Sequence, residues 1–230
     1  MKEKSNSMNS HTEENYLKAL FKLASSKSEI SLSELSKKLS VSTPTANSMI
    51  KRLHEKEFVV YEKYKPIKLT EKGKTAAGLI VRKHRLTEMF LVEKMGFGWE
   101  KVHAIAEQIE HIKSPIFFDK MDELLGYPNI DPHGSPIPNK EGQIEHKISS
   151  ETRLSDCKKG DTVKIVAVSE SSLEFLQFLN SRNIGLGLEV EVLEIEKYDG
   201  TMKVVLIENT KNKREEVLSK KVCEKLSVSY

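Results

Sequence analysis

The hydrophobic pattern of this chain changes its period across one segment rich in proline and glycine. From Gly126 to about Arg153 the sequence holds three glycines together with Pro128, Pro132, Pro136 and Pro138. Before this segment, apolar residues recur every three or four positions, the spacing of amphipathic helices. After it, apolar and polar residues alternate over 162–168 and 188–196, the pattern of half-buried strands. We therefore predict a helical region and a small β-rich region, joined by an extended linker.

Composition and charge exclude several classes of protein. Charged residues make up 31% of the chain and hydrophobic ones 38%, and no apolar run reaches the length of about 18 residues that a membrane span needs. The N-terminal segment lacks the apolar core of a secretory signal. The two cysteines, Cys157 and Cys223, are typical of a reducing compartment, although the sequence leaves a disulfide between them open. We predict a cytoplasmic protein that does not bind membranes.

The first third of the chain has the element order of a winged helix-turn-helix domain. The pattern predicts helices over 13–25, about 32–39 and about 43–56, and strands over 58–63 and 67–70. Either Ser31 or Ser33 caps the second predicted helix. Thr43 is the expected cap of the third, with Pro44 in its first turn, where a missing N–H costs nothing. A basic turn from Lys63 to Pro66 joins the two strands.

The third predicted helix is the candidate recognition helix. Short hydroxyl and amide side chains at a helix N-terminus suit phosphates and base edges, because exposed backbone N–H groups already favour anions there. Residues 1–83 hold 17 Lys and Arg against 9 Asp and Glu, a net charge of +8. Such a basic module indicates a polyanionic partner. The predicted DNA-binding residues are Ser42, Thr43, Pro44, Thr45, Asn47, Ser48, Lys51, Arg52, Lys63 and Lys65.

A row of histidines and glutamates follows in the next predicted helices, which span about 71–94, 99–113 and 114–125. His84 and Glu88 are four residues apart and project from one helix face. A second stripe is formed by His103, Glu107, Glu110 and His111. Facing each other, the two stripes supply enough ligands for one or two metal ions. A stripe of solvated ion pairs is the alternative, but the alignment of six such residues favours ligation.

The types of ligand atom limit which metal ions are expected at this site. Imidazole and carboxylate groups without a thiolate suit Mn²⁺ or Fe²⁺ better than a structural zinc ion. His133, within the Pro-rich segment, is expected to be a turn residue rather than a ligand.

At these residues the chain resembles the diphtheria toxin repressor family, which includes iron-dependent and manganese-transport regulators. The resemblance is carried by the winged helix and by the segments VRKHRLTEMFL and KVHAIAEQIEH. It covers roughly 10–140, and 153–230 matches more loosely the SH3-like domain of longer members. The implied fold is mainly α with a small β part. Its domains are a winged helix (1–78), a helical metal-binding and dimerisation domain (79–126), a Pro-rich linker (127–152) and an SH3-like β-barrel (153–230).

The resemblance also implies a homodimer, formed through residues of about 79–125, and two metal ions per subunit. By position, the primary site takes Glu107, Glu110 and His111, and the ancillary site takes His84, Glu88 and His103. Manganese-responsive members have a glutamate at the position of Glu107, whereas iron-responsive members have a cysteine. The chain is therefore closest to the manganese regulators, with Fe²⁺ as the alternative ion.

The first helix departs from the family pattern. Asn15 stands where the family draws a methionine or aspartate ligand, and Lys18 replaces a carboxylate of the manganese-specific relatives. Glu14 is a neighbouring candidate ligand, although it lies about 100° around the helix from Asn15. In the C-terminal domain, Glu170 and Glu174 are the nearest candidates for additional ancillary ligands.

The resulting prediction is a metal-dependent transcriptional repressor that binds a palindromic operator in double-stranded DNA and silences metal-uptake genes when metal is abundant. Metal would fix the first helix and the winged helix relative to the dimerisation helices. A winged-helix regulator of a small organic ligand is the alternative outside the family. We do not expect an enzyme, because a dinuclear carboxylate oxidase needs paired Glu-x-x-His motifs on a four-helix bundle and this chain has one stripe.

Overall fold

The computed structural model describes residues 10–26, 29–145, 152–209 and 212–230. These residues form two compact units. The described part of the first unit comprises 10–26, 29–84, 107–120 and 137–145, and that of the second comprises 85–106, 121–136, 152–209 and 212–230. The first nine residues of the predicted winged-helix domain and residues 146–151 of the predicted linker lie outside the described residues.

The first unit begins with a winged helix, as the sequence predicts. Its helices are α1 (His11–Ser26), α2 (Leu32–Lys38) and α3 (Thr43–Glu55), and its wing consists of β1 (Val59–Val60) and β2 (Lys68–Leu69). The two strands are antiparallel, with Val59 opposite Leu69. Leu17, Leu35 and Ile50, one from each helix, are completely buried in a shared core. Burial of this apolar stripe holds α3 in place beneath its exposed polar face.

The helix caps match the sequence at α2 and differ from it at α3. The Ser31 hydroxyl accepts a hydrogen bond from the Glu34 N–H at 3.2 Å, and the Glu34 carboxylate accepts one from the Ser31 N–H at 3.1 Å, which makes a capping box. The prediction that Thr43 caps α3 is wrong, because Thr43 is already the first residue of the helix. Ser42 has the extended backbone of a cap residue and accepts from the Thr45 N–H at 3.3 Å.

Three further helices are α4 (Glu71–Glu93), α5 (Val102–Ile109) and α6 (Pro115–Leu124). Helix α5 is shorter than the predicted span of 99–113. Its last helical residue is Ile109, and the chain then turns, with the Ile112 N–H donating to the Ile109 carbonyl at 3.0 Å. Glu110 therefore lies in the turn that follows the helix, and so does His111.

The segment after α6 is packed rather than extended over its described part. In the first unit, Arg82 donates to the Pro138 carbonyl at 2.7 Å. Gly78 on α4 lies against Gly142, so that a Cβ added at Gly78 would come within 1.9 Å of the Gly142 carbonyl oxygen. In the second unit, the Val168 N–H donates to the His133 carbonyl at 2.9 Å. The prolines and glycines of this segment thus form packed turns.

The second unit contains the β domain. Its strands are β3 (Thr152–Arg153), β4 (Thr162–Val168), β5 (Glu189–Ile195), β6 (Met202–Asn209), β7 (Asn212–Leu218) and β8 (Leu226–Ser229). They form one antiparallel sheet in the order β3-β8-β4-β5-β6-β7. Helices α7 (Leu173–Asn180) and α8 (Lys220–Cys223) complete the domain. The alternating pattern of the sequence predicts β4 and β5 to within a residue, and their inward-facing valines are buried.

Both cysteines are buried and free. Burial raises the pKa of the Cys223 thiol to about 12, so the thiol stays protonated. Within the part of the chain that the structure describes, no helix is both long and apolar enough to cross a bilayer.

Candidate metal centre and DNA-binding surface

The predicted DNA-binding residues form one face of the first unit. Ser42, Thr43, Thr45 and Ser48 are exposed along the first turns of α3, and Lys63 and Lys65 are exposed in the wing. A groove of about 1050 Å³ lies between α3 and the wing, and its lining includes Thr43, Pro44, Asn47, Lys51, Lys63 and Lys65. Polar donors along the N-terminal half of an exposed helix suit contacts with base edges and phosphates.

Two of these residues are engaged inside the protein. The Tyr61 hydroxyl donates to Asn47 Oδ1 at 2.6 Å, which leaves the amide N–H groups of Asn47 to face outward. Arg52 Nε lies 2.8 Å from Glu13 Oε1 on α1, and Lys56 Nζ lies 2.8 Å from the same oxygen. Burial by itself raises the pKa of Glu13, but the bonds from Lys56 and the charge of Arg52 outweigh it and lower the pKa. Arg52 therefore links α3 to α1.

A cluster of charged side chains connects α1 with the end of α5. We call it the lysine cluster, and its members are Lys18, His84, Glu107 and Glu110. Lys18 Nζ donates to Glu107 Oε1 at 2.6 Å and to the two oxygens of Glu110 at 2.7 and 2.8 Å. His84 Nδ1 lies 2.5 Å from Glu110 Oε2. Lys18 is 6% exposed and Glu110 is completely buried, so these are buried, charge-assisted contacts.

Further residues of α1 border the lysine cluster. Glu14 Oε2 lies 2.6 Å from His111 Nδ1, and the His111 ring stacks on the ring of His11 at 4.2 Å between centroids. Among the described residues, the buried Oδ1 of Asn15 has no hydrogen-bond partner. The two candidate ligands of α1 therefore differ. Glu14 contacts a histidine, whereas the amide oxygen of Asn15 has no hydrogen-bond partner among the described residues.

A second cluster lies in the other unit, and we call it the histidine cluster. Its members are Glu88, His103, Asp131 and His133. His103 Nδ1 lies 3.0 Å from Glu88 Oε1, and His133 Nδ1 lies 3.6 Å from Glu88 Oε2. Asp131 Oδ1 accepts from the backbone N–H groups of His133 and Ser135 at 2.8 and 2.9 Å. Glu88, Asp131 and His133 are each less than 5% exposed.

Electrostatics in the histidine cluster favour a positive charge. Burial lowers the pKa of His133, but the contacts with Glu88 and the charge of Asp131 outweigh it, so the pKa is raised. The pKa of Asp131 is also raised, by burial first and by the charge of Glu88 second, although Arg85 opposes this shift. A cation among these groups relieves the repulsion between Glu88 and Asp131.

His133 is the member of the histidine cluster that the sequence analysis did not count among the candidate ligands. It does lie in a turn, as expected, but it is 3% exposed and contacts Glu88. The proline and glycine residues around it hide this role, because they resemble a linker. The only local signal is Asp131 two residues earlier, since aspartates commonly fix such turns by accepting backbone hydrogen bonds.

The C-terminal candidates have other surroundings. Glu170 is bound by Lys225 and accepts from the Ser172 hydroxyl at 2.6 Å. These bonds lower the pKa of Glu170. Glu174 is exposed in the first turn of α7. Neither residue belongs to a group of metal-type ligands among the described residues.

Both clusters offer the donor types that divalent cations bind. The ligand atoms of His84, Glu107 and Glu110 lie within 4.8 Å of one another, and so do those of Glu88, Asp131 and His133. Carboxylate oxygens and imidazole nitrogens suit Mn²⁺ and Fe²⁺. On α1, three residues before Lys18, the buried amide oxygen of Asn15 has no hydrogen-bond partner among the described residues. In the first set, however, the Lys18 ammonium is bound to the same carboxylates.

Three family models match consecutive parts of the chain. The N-terminal DNA binding domain of iron dependent repressors matches residues 8–67, and their metal binding and dimerisation domain matches residues 70–139. A FeoA domain matches residues 152–230. These matches confirm the predicted fold class, a winged helix followed by a helical dimerisation domain and an SH3-like β domain.

Individual relatives cover most of the chain. The iron-dependent repressor IdeR of Mycobacterium tuberculosis is 30% identical over 163 residues, which cover 67% of this chain and 70% of IdeR. The diphtheria toxin repressor of Corynebacterium diphtheriae is 28% identical over 193 residues, 80% of this chain and 84% of the repressor. The structure of a manganese-dependent transcriptional repressor in complex with manganese is 30% identical and superimposes with a TM-score of 0.85, covering 94% of this chain and 98% of that one. The chain belongs to the diphtheria toxin repressor family of metal-dependent transcriptional repressors.

Proposed function

We propose that this protein is a cytoplasmic repressor that binds a palindromic operator as a homodimer when Mn²⁺ is bound, and that it silences metal-uptake genes. The observation that carries this proposal is the contact between α1 of the winged helix and the carboxylates at the end of α5. Lys18 reaches Glu107 and Glu110, and Glu14 reaches His111. Any change of cation at these carboxylates therefore acts directly on the DNA-binding domain.

Helix α1 carries that change to the recognition helix. Glu13 is completely buried and pairs with Arg52 and Lys56 at the end of α3. The next residue, Glu14, contacts His111. Because a helix of 16 residues is stiff along its axis, fixing α1 at the α5 end also fixes α3. Two recognition helices with a fixed spacing match one palindromic operator, whereas mobile ones do not.

Manganese is the ion that the ligand chemistry favours. Glu107 contributes an anionic oxygen where a thiolate would favour softer ions, and Mn²⁺ prefers oxygen ligands. A similar structure is that of a manganese-dependent repressor with manganese bound. Fe²⁺ is the second candidate, because relatives with about the same identity are iron-dependent repressors.

We propose two ions per subunit. Glu107, Glu110, His111 and Asn15 would hold one of them. His103 and Glu88 would hold the other, together with His84, one turn before Glu88 on α4. His133 and Asp131 extend that second set, because both approach Glu88 in the buried histidine cluster. Glu170 and Glu174 stay predicted ancillary ligands, and Glu170 would first have to leave Lys225.

The proposed homodimer uses α6. This helix exposes the apolar side chains of Ile116, Phe117 and Leu124, of which Ile116 is 80% exposed. Exposed apolar side chains on one helix are typical of an interface between subunits. The helix also lies within the part of the chain that matches a dimerisation domain. A symmetric pairing of two α6 helices buries the same patch twice.

DNA binding with and without metal tests the proposed function. Fluorescence anisotropy would be measured on a duplex from the upstream region of a metal-uptake gene, once in Mn²⁺ and once in chelator. We expect binding to be at least about tenfold tighter in Mn²⁺, a typical coupling of about 1.4 kcal/mol or more. Glu107→Gln and His103→Ala should lose this difference, whereas Glu71→Gln, at an exposed position of α4, should keep it. Equal binding in both conditions would favour the regulator of an organic ligand.

A further inference from the structure

We propose that the Lys18 ammonium is an exchangeable internal occupant of the cation position between Glu107 and Glu110, which a divalent metal ion has to displace. The proposal rests on the metal-dependent function proposed above and names what sets the sensitivity of that site. It concerns Lys18 as a competitor of the metal, a role that is independent of which residues complete the coordination shell.

The hydrogen bonds of Lys18 place its ammonium where a metal ion would be held. An ammonium has three N–H donors, and Lys18 Nζ is within 2.8 Å of three carboxylate oxygens of Glu107 and Glu110. Both glutamates belong to the candidate metal set that also includes His84. The ammonium and a divalent ion therefore need the same two carboxylates.

Burial makes a cation at this position necessary. Glu110 is completely buried and Lys18 is 6% exposed. Two carboxylates that share a buried site repel each other unless a cation lies between them. The lysine provides that charge without any metal, so the carboxylates of the cluster are neutralised in its metal-free form.

Asn15 shows that the ammonium does not use every acceptor of this region. Its buried Oδ1 has no hydrogen-bond partner among the described residues. Asn15 precedes Lys18 by three residues and so lies on the same face of α1. Buried acceptors are ordinarily paired, and an amide oxygen is a common ligand of hard divalent ions. A partnerless acceptor on the face of α1 that carries Lys18 is therefore expected if the ammonium is replaced by an ion with more coordination positions.

The exchange is a balanced displacement without bond chemistry. One divalent ion enters and binds the carboxylate oxygens, and one ammonium leaves them with its proton. The four-carbon stem of lysine is flexible and its ammonium is strongly hydrated. The released side chain can therefore turn its ammonium toward water. The net charge of the cluster rises by one, which strengthens its hold on the two glutamates.

Amine acetylation of the full-length protein, read by mass spectrometry, tests the exchange directly. In chelator, Lys18 should react at least about tenfold more slowly than Lys37, which is exposed on α2, because the Lys18 ammonium is buried and paired. Saturating Mn²⁺ should accelerate the reaction of Lys18 by about the same factor and leave the reaction of Lys37 unchanged. Protection of Lys18 that persists when Mn²⁺ binding is saturated would overturn the proposal.

Metal affinity provides an independent measurement. Competition with a fluorescent chelator should show that Lys18→Met binds one Mn²⁺ at least about tenfold more tightly than the parent, since no ammonium competes. Lys37→Met, at an exposed position of α2, is the control and should bind like the parent. If Lys18→Met does not fold without metal, Lys18→Arg replaces it, and this permanently charged variant should bind Mn²⁺ no more tightly than the parent. Equal affinity in Lys18→Met and the parent, or tighter binding by Lys18→Arg, contradicts the exchange.

These readouts separate the exchange from the proposed function. If DNA binding depends on Mn²⁺ while Lys18 stays protected, the exchange fails and the repressor stands. If Mn²⁺ exposes Lys18 while DNA binding ignores Mn²⁺, the exchange stands and the repressor switch fails.

Discussion

The lysine cluster and the histidine cluster are built from the same residue types and differ in what balances their carboxylates. In the lysine cluster, an ammonium from α1 lies between two glutamates. In the histidine cluster, two imidazoles approach Glu88, and Arg85 lies 3.4 Å from Asp131. A lysine charge is permanent at neutral pH, whereas an imidazole loses its charge when it binds a metal. Two similar ligand sets can therefore differ in what an entering metal ion displaces, which is an ammonium in the lysine cluster and protons in the histidine cluster.

The largest expected effect on stability comes from removing the Glu110 carboxylate at the centre of the lysine cluster. Glu110→Ala removes the buried carboxylate that accepts two hydrogen bonds from Lys18 and contacts His84, and breaking a buried pair in this way costs about 3–5 kcal/mol. The free energy of unfolding in urea, measured in chelator, should fall by that amount. Glu107→Ala is the control, because Glu107 is 36% exposed and solvent screening reduces its loss to about 1 kcal/mol or less. Similar losses in both variants would show that Glu110 is not the anchor of Lys18.

Metal removal compares the two clusters as metal sites. An ion at a hundred times its Kd stabilises the folded protein by about 2.7 kcal/mol per site. Glu88→Gln should lose one such increment of Mn²⁺-induced stability, and Glu107→Gln should lose the other, in thermal or urea unfolding with and without Mn²⁺. The double variant should lose both. If Glu107→Gln keeps the full increment, the ion of the lysine cluster is not part of the metal response.

His133 tests whether the histidine cluster extends beyond the predicted ligands. Loss of a ligand or of its supporting partner typically weakens metal binding about 10–100-fold. His133→Ala should do so for one Mn²⁺, measured by chelator competition. His54→Ala is a matched control, because His54 is exposed on α3 and its ring Nδ1 lies 3.0 Å from the backbone carbonyl of Val59. Unchanged affinity in His133→Ala would restrict the second site to Glu88, His103 and His84.

The same residue gives the histidine cluster a pH dependence in the absence of metal. The pKa of His133 is raised, since its contacts with Glu88 and Asp131 outweigh the effect of burial. A raised folded-state pKa adds stability that is fully present below the ordinary histidine value of about 6.5. That stability is lost as the pH rises through the raised pKa. Unfolding in chelator between about pH 6 and 9 should show this decline in the parent and not in His133→Gln, and a decline of equal size in both would refute its assignment.

The smallest effect concerns the connection from the lysine cluster to the recognition helix. Lys51 is exposed on α3, whereas Arg52 pairs with Glu13 on α1. Lys51→Ala should lower the slope of log affinity against log salt by about 1, as expected for one lost phosphate contact. Arg52→Ala should change that slope less and should weaken the dependence of DNA binding on Mn²⁺. An equal change of slope in both variants would identify Arg52 as a phosphate ligand.

Local sequence patterns predict much of this fold. The winged helix and strands β4 and β5 follow from the hydrophobic period, and the cap of α2 is narrowed to Ser31 or Ser33, since these are interactions between near neighbours in the chain. The end of α5 is missed because Glu110 and His111 continue the helical period of the stripe after the helix has stopped. The periodic pattern shows which residues are apolar or charged, but it does not show where the helix ends and the backbone turns.

The candidate sites depend on contacts that no local pattern contains. Lys18 is recognisable in the sequence as a departure from the family, but its partners lie 89 and 92 residues away. His133 is concealed by prolines, although the turn held by Asp131 makes it part of a buried cluster. Both residues acquire their role from tertiary packing, which brings distant segments together and removes water from between them.

The contact between Gly78 and Gly142 has a consequence for the evolution and engineering of this family. Two backbones touch there without an intervening side chain, and any β-carbon at position 78 meets a carbonyl oxygen at 1.9 Å. A single methyl group added at Gly78 would therefore push residues 137–145 away from α4. At position 142 an added β-carbon would likewise meet the Thr75 carbonyl oxygen at 2.5 Å, so a larger residue at either position requires this segment to follow another path.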